Sequence, residues 1–325
     1  MSAVQGTVQA VVAAGGESAA RLMEHLERRL LDAADGHGEV LGRHAGDTIA
    51  AGGKRLRPLL LFLAAGAPPP ESETLLRSAV AVELVHSATL VHDDVLDGSP
   101  LRRGRPTVMA SGGRLAATAT GDLLFSRAFA ELAATRSVAA VQVLSRASSE
   151  LAAGELMQRA DAWCAVAIAR YLERCRLKTG VLFRAACELG ALEGDDAERL
   201  PGLALFGERI GLAFQLLDDV LDVSGPPERT GKPRGADLLD GTVTLPLILA
   251  RERDPRLGSL DLRSVNTPER AAEVCARIAD TGALEDTRAR ALEFVASAKA
   301  ELPEMPARQR GAMELIADGV VERYS

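Results

Sequence analysis

The sequence predicts an all-α fold, and three features together carry that reading. Apolar residues make up 47% of the 325 residues while aromatics are only 3%. The core is therefore built of Leu, Val and Ala, which suit packed helices better than a β-sandwich. Two segments, 71–97 and 202–222, carry helical periodicity without strict alternation, and both exceed the usual length of a strand. Breaker-rich loops follow each directly: GSPLRRGRP over 98–106 and SGPPERTGKPRG over 224–235.

Taken in order, residues 1–20 read as a flexible start, because no basic segment precedes their apolar run as a signal peptide would require. Pro68–Pro70 separates an earlier helix from the segment 71–97. A further break over 253–268 precedes a charged, amphipathic C-terminal stretch. No solenoid-type repeat and no long interior linker is found, so residues 1–325 are expected to form one α-helical domain. The arrangement of the helices stays open.

Composition also excludes some functions. A net charge of −7 argues against a general nucleic-acid binder, which needs an excess of Lys and Arg. No run of about 18 unbroken apolar residues exists, so no membrane span is expected and the cytoplasm is the default compartment. Cys164, Cys175, Cys187 and Cys275 form no C-x-x-C pair and are expected to be reduced, buried and structural.

VHDDVLDGS and LLDDVLDVS share the core D-D-V-L-D, starting at Asp93 and Asp218, 125 positions apart. On a helix, residues i and i+4 project about 40° apart, and i+1 lies about 100° from i. Asp93 and Asp97 therefore share a face with Asp94 close by, and Asp218, Asp222 and Asp219 repeat the pattern. Three carboxylates on one patch repel one another and need positive charge to be buried. Hard oxygen donors of this type suit Mg²⁺, which binds through one or two carboxylates plus substrate phosphates. A solvated acidic helix face is the bland alternative. An EF-hand is excluded, since neither cluster has the required Gly or the closing Glu.

Cations gather near both clusters. Arg102, Arg103 and Arg105 follow the first, and Lys232 and Arg234 follow the second. AGGKRLRP supplies Lys54, Arg55 and Arg57, and RLKTG supplies Lys178 and Thr179. AGGKRLRP is not a P-loop, and each basic group alone reads equally as solvated surface charge. Beside two carboxylate clusters, their combination suits a polyanion such as a diphosphate, gripped by charge-assisted donors.

With these residues assembled, the chain resembles the trans-prenyltransferases, the all-trans polyprenyl diphosphate synthases, from about Gly52 to Pro246. AGGKRLRP, VHDDVLDGSPLRRGRPT, GDLLFSRAF, GELMQ, KTG, FQLLDDVLD and the later PRGADLLDGTVTLP follow one another in the family's order. The resemblance implies a helical bundle of isoprenoid synthase type around a central cavity, usually a homodimer. It implies magnesium binding led by Asp93, Asp97 and Asp218, with Asp94, Asp219 and Asp222 supporting. Arg102, Lys178, Thr179, Gln215 and Lys232 would hold an allylic diphosphate. Lys54, Arg57, His86 and Arg103 would hold isopentenyl diphosphate, although His86 alone reads as a core histidine. The implied reaction is ionisation of the allylic diphosphate followed by alkylation of isopentenyl diphosphate. Thr242 stands where the family often has Lys, which puts that loop's phosphate contact in doubt.

Product length is expected to depend on small side chains upstream of Asp93, namely Thr89, Ala88 and, one turn further, Val85. They favour a product longer than farnesyl diphosphate, with geranylgeranyl diphosphate the alternative. Two other classes fit the sequence less well. A class I terpene cyclase would need an Asn-containing triad, but the only Asn is Asn266, in a Thr-Pro loop. A non-catalytic partner subunit would have lost a motif, and none is missing here.

Overall fold

The computed structural model describes residues 10–66, 69, 71–194, 198–225 and 234–322. Helices dominate it: α1 (Glu17–Ala34), α2 (Glu39–Ala50), α3 (Leu56–Ala64), α4 (Glu73–Asp97), α5 (Val108–Ala134), α6 (Val138–Asp161) and α7 (Ile168–Cys175) come first. A π-helical turn, Arg176–Gly180, leads into α8 (Val181–Glu193) and α9 (Leu200–Ser224). Then follow α10 (Ala236–Leu239), α11 (Leu245–Arg253), α12 (Pro255–Gly258), α13 (Pro268–Ala279), α14 (Ala283–Ala300) and α15 (Ala307–Glu322). The all-α class expected from the sequence is observed. Of the start read as flexible, residues 10–15 are helical with Val11 buried in the core, and residues 1–9 lie outside the described residues.

The periodic segments become α4 and α9. Both are apolar around most of their circumference, which marks a helix surrounded by other helices. By length and composition each could cross a membrane, yet 72% and 56% of their apolar windows are buried inside the protein. Gly98, at φ 62°, ends α4 in the left-handed conformation that glycine adopts without a Cβ penalty. The segment expected to be a loop, 98–106, contains a small antiparallel hairpin pairing Leu101 with Pro106 and Arg102 with Arg105. Arg103 (φ 52°) and Gly104 (φ 74°) form its two-residue turn, and positive φ at both matches the twist of a tight hairpin.

Two apolar clusters make up the core. One joins α1, α2, α4, α5 and α6, and the other joins α9, α11, α13, α14 and α15. Helices α3 and α8 contribute to both: Leu60 and Phe183 face one side, Phe62 and Leu182 the other. The acidic ends of α4 and α9 therefore come from different halves of the core. Cys175, Cys187 and Cys275 are buried as expected, but Cys164 is exposed in the turn after α6.

Close backbone approach fixes α9 against α8. A Cβ on Gly207 would fall 2.5 Å from the Phe183 carbonyl oxygen, and one on Gly211 would fall 2.7 Å from Gly180 Cα. Neither backbone can give way without moving its whole helix. Gly207→Ala is expected to destabilise the protein by about 1–3 kcal/mol through this overpacking. Urea denaturation of both forms measures it, and an unchanged midpoint would show that α8 and α9 separate freely.

Candidate active site

The end of α4 divides its three aspartates between two sides. Asp93 and Asp97 face a cavity of about 270 Å³. Asp94 lies on the far side, 4% exposed, where Arg102 donates to its Oδ1 from Nε at 2.9 Å and Nη2 at 2.8 Å. The hairpin after Gly98 folds Arg102 back to reach it. Asp94 therefore does not join the other two as a ligand face, because one residue along a helix is about 100° round its axis. Asp97 is ion-paired with Arg159 of α6, and Arg159 also meets Glu155 at 3.2 Å. Glu155 in turn pairs with Lys178 at 2.5 Å.

The end of α9 meets the same cavity from the opposite half of the core. Asp218 and Asp219 line it. Asp219 is buried, accepting from the Tyr171 hydroxyl at 2.6 Å and from Gln215 Nε2 at 2.8 Å. Gln215 Oε1 accepts in turn from Thr179 Oγ1 at 2.7 Å. Asp222 is not part of the lining. Its carboxylate accepts from the Asp237 backbone N–H at 3.3 Å, which ties the trailing segment 234–240 to α9.

Burial acts strongly on this acidic hollow. It pushes the Asp93 carboxyl up to about 6 against the pull of Lys178, with Glu155 and Asp97 adding repulsion. Asp219 is raised as well, by burial and by Asp237, even though Tyr171 and Gln215 donate to it. Asp237 and Asp240, which the sequence reading did not single out, complete the acidic lining. Among the described residues, no three His, Cys, Asp or Glu side chains converge closely enough to hold a metal by protein ligands alone. The donor set still fits a hard divalent cation. It consists of carboxylates only, from two helices, across a gap that phosphate oxygens can fill.

Cations line the same hollow. The π turn, a form that recurs at functional sites, brings Lys178 and Thr179 to the cavity together. Arg57 lies 4.5 Å above the Phe183 ring, and burial, with Arg103 adding to it against Glu83, pushes its guanidinium down to about 10. Burial and then Arg57, Arg103, Arg102 and Arg55 hold the His86 imidazole well below its ordinary value. His86 is thus neutral, among arginines rather than in an apolar core. It shares the wall between this cavity and a neighbouring one of about 360 Å³, which Arg103 lines. Lys54 lines neither, and Lys232 lies outside the described residues. Arg55 is structural, paired with Glu27 at 2.7 Å and Glu83 at 2.9 Å. Thr242 lines the acidic cavity, its backbone N–H donating to Asp237 O at 2.8 Å.

A third, largely apolar cavity of about 420 Å³ runs between α4, α5 and α6. It meets the acidic hollow at Thr89, Asp93 and Lys178. Of the residues expected to govern product length, only Thr89 lines it. Val85 and Ala88 are fully buried in the core instead: Ala88 projects about 100° from Thr89, and Val85, one turn deeper on Thr89's side, is covered by core packing. The opposite walls come from α5 and α6 and include Phe125, Leu151 and Leu156. Nothing upstream of Asp93 signals these residues. GDLLFSRAF and GELMQ contain or adjoin several of them, matched as segments without a role for each side chain.

Residues 39–278 match the family model described as polyprenyl synthetase, which is most of the chain. The chain belongs to the polyprenyl synthetase family. It is 43% identical over 212 residues to heptaprenyl diphosphate synthase component 2 of Geobacillus stearothermophilus, a stretch covering 65% of this chain and 66% of that one. It is 37% identical to geranylgeranyl diphosphate synthase of Methanosarcina mazei, over 78% of this chain and 80% of that one. The crystal structure of a Caulobacter crescentus polyprenyl synthase, complexed with calcium and isoprenyl diphosphate, superposes with a TM-score of 0.90 at 37% identity. That superposition covers 98% of each chain. As a member of this family the chain is a prenyltransferase.

The raised Asp93 carboxyl has a consequence for stability. The folded state binds its proton more tightly than the unfolded state, so this group's contribution falls as pH rises from 3.8 to about 6. Asp93→Asn is therefore expected to stabilise the ligand-free protein at pH 8 by about 1–3 kcal/mol, with the gain shrinking towards pH 5. Urea unfolding at the two pH values measures it. Equal destabilisation at both would mean that Asp93 carries no desolvated charge.

Proposed function

We propose that this chain elongates an allylic diphosphate head-to-tail with isopentenyl diphosphate, to a product longer than farnesyl diphosphate. One observation carries the proposal. Two aspartate pairs, Asp93/Asp97 and Asp218/Asp219, face one hollow that continues past Thr89 into an apolar cavity. A molecule with a polyanionic head and a hydrocarbon tail matches that junction.

In this proposal Lys178, Thr179 and Gln215 hold the allylic diphosphate at the cavity wall, and Arg102 spans from Asp94 to the same hollow. When bound there, magnesium supplies charge neutralisation for the departing diphosphate. Asp93, Asp97 and Asp218 are its proposed ligands, with Asp219 orienting Gln215 and Tyr171 behind them. Asp94 and Asp222 act through Arg102 and the segment 234–240. Arg57, His86 and Arg103 receive isopentenyl diphosphate at the wall between the two polar cavities. Neutral His86 offers one donor there without adding charge to the arginines. The developing allylic cation lies at the mouth of the apolar cavity.

The chain is proposed to act as one catalytic unit spanning 1–325, as a homodimer in the cytoplasm. Similarity to a synthase named as component 2 favours a second arrangement, in which an unlike subunit is needed for activity. Similarity to a geranylgeranyl diphosphate synthase keeps that shorter product as the alternative.

The experiment incubates the purified chain with Mg²⁺, labelled isopentenyl diphosphate and each allylic primer, then sizes the dephosphorylated products. Products longer than fifteen carbons from this chain alone are expected. Release of the fifteen-carbon alcohol only would overturn the length assignment, and activity only after adding another subunit would favour the heteromer. Asp93→Ala and Asp218→Ala are each expected to lower turnover at least about a hundredfold. Near-normal rates in either would remove that residue from the site.

A further inference from the structure

Four charges alternate along one edge of the acidic hollow: Asp97, Arg159, Glu155 and Lys178. Arg159 stands between two carboxylates. Its Nη2 donates to Asp97 Oδ1, and its Nε donates to Glu155 Oε1 at 3.2 Å. Nε and Nη2 share the edge with which a guanidinium grips one carboxylate through two parallel bonds. Arg176 shows that full grip in the same protein, with both bonds to Glu173 at 2.8 Å. The edge of Arg159 is instead split between two partners.

The other Glu155 oxygen accounts for the split. Oε2 lies 2.5 Å from Lys178 Nζ, yet it is buried and accepts no aligned hydrogen bond among the described residues. A buried carboxylate oxygen in that state gains when a well-aligned donor is offered. The backbone of Lys178 is fixed. A Cβ on Gly154 would fall 2.8 Å from Leu177 Cβ and 3.0 Å from Lys178 N, so α6 presses directly on the π turn. The Lys178 side chain is what remains to move, and it borders both the acidic hollow and the apolar cavity. Asp97, meanwhile, carries a guanidinium that repels an approaching divalent cation.

We propose that Glu155 is a positioning residue that couples diphosphate binding at Lys178 to metal binding at Asp97, by taking over the whole edge of Arg159. This rests on the reading of Lys178 as a diphosphate donor and Asp97 as a metal ligand. A diphosphate that draws Lys178 away releases Glu155 Oε2, which then accepts from Arg159 Nη2 while Oε1 keeps Nε. Arg159 leaves Asp97, and that carboxylate turns to the metal. Each charge exchanges one partner and none is stranded. Linkage makes the effect reciprocal, so metal at Asp97 also favours transfer of Lys178 to the phosphate. A metal bridging carboxylate and phosphate couples the two ligands directly as well. The relay adds a part that passes through Glu155 and Arg159 alone.

Calorimetry tests this on the full chain, with Mg²⁺ titrated in the presence and absence of farnesyl thiodiphosphate, whose carbon–sulfur bond resists ionisation. The readout is the ratio of the two Mg²⁺ affinities. Parent protein is expected to bind Mg²⁺ more tightly with the analogue. Glu155→Gln and Arg159→Gln are each expected to lower the ratio at least about fivefold, and the double variant no further than either. Without analogue, Glu155→Gln weakens Mg²⁺ binding and Arg159→Gln strengthens it. Altered local charge alone would give those opposite shifts while leaving the ratio as in the parent. Circular dichroism checks folding, and Glu155→Ala or Arg159→Ala replaces a variant that does not fold. A ratio within about twofold of the parent's in either single variant overturns the relay and leaves the site reading standing. A parent whose Mg²⁺ affinity ignores the analogue overturns both.

Discussion

Carboxylates brought face to face in a partly dry hollow repel one another, and the architecture around them is organised by that repulsion. Asp93 and Asp97 arrive on α4 and Asp218 and Asp219 on α9, each helix rooted in its own apolar cluster. Helices α3 and α8, which belong to both clusters, lock the two halves at a fixed separation. Without that rigid frame the acidic ends would swing apart into water, where the charge costs far less. The raised Asp93 and Asp219 carboxyls record that the frame wins.

The surrounding cations show how the cost is contained. Asp94 is neutralised by Arg102, Asp97 by Arg159, and the Asp222 carboxylate accepts from the Asp237 backbone N–H of the trailing segment. Each D-D-x-x-D cluster is therefore a mixture, part cavity-facing charge and part anchor. Arg102 and Lys178 are held by single carboxylates that a substrate phosphate can complement, so the ligand-free site keeps its cations in reach. Arg55, by contrast, is clamped by Glu27 and Glu83 and lies outside this exchange.

Much of this was legible in the sequence, for physical reasons that also mark its limit. The two long helices announced themselves because a helix packed on most sides must be apolar on most sides. Their ends were visible because Gly98 and the Pro- and Gly-rich loops cannot continue a helix. Periodicity alone, however, does not say which side of α4 faces the hollow. The 100° offset separating Asp94 from Asp93 was computable, but its direction depended on where the hairpin returns Arg102. The same ambiguity placed Ala88 on the channel, and periodicity cannot give depth, so Val85, on Thr89's side but a turn deeper, was placed there too; both pack into the core and only Thr89 faces the cavity. Tyr171, Arg159 and Phe125 escaped notice because their roles come from crossings between helices distant in sequence.

That last point bears on how such a site divides its labour. The polar hollow and the apolar cavity share a border of three residues, Thr89, Asp93 and Lys178. Chemistry on one side requires fixed charges, whereas measurement of a hydrocarbon tail on the other requires only volume. Volume on α4 is constrained, since its other face is core and its end carries the cavity-facing carboxylates Asp93 and Asp97. Glu155 of α6 is tied to Lys178, but Phe125 of α5 and Leu151 of α6 carry no such commitment, so size can vary there without disturbing the charges. Gly121 shows how tightly α5 meets α4 beside this border, because its missing side chain leaves room for the ring of His92, next to Asp93, which stacks on Phe125.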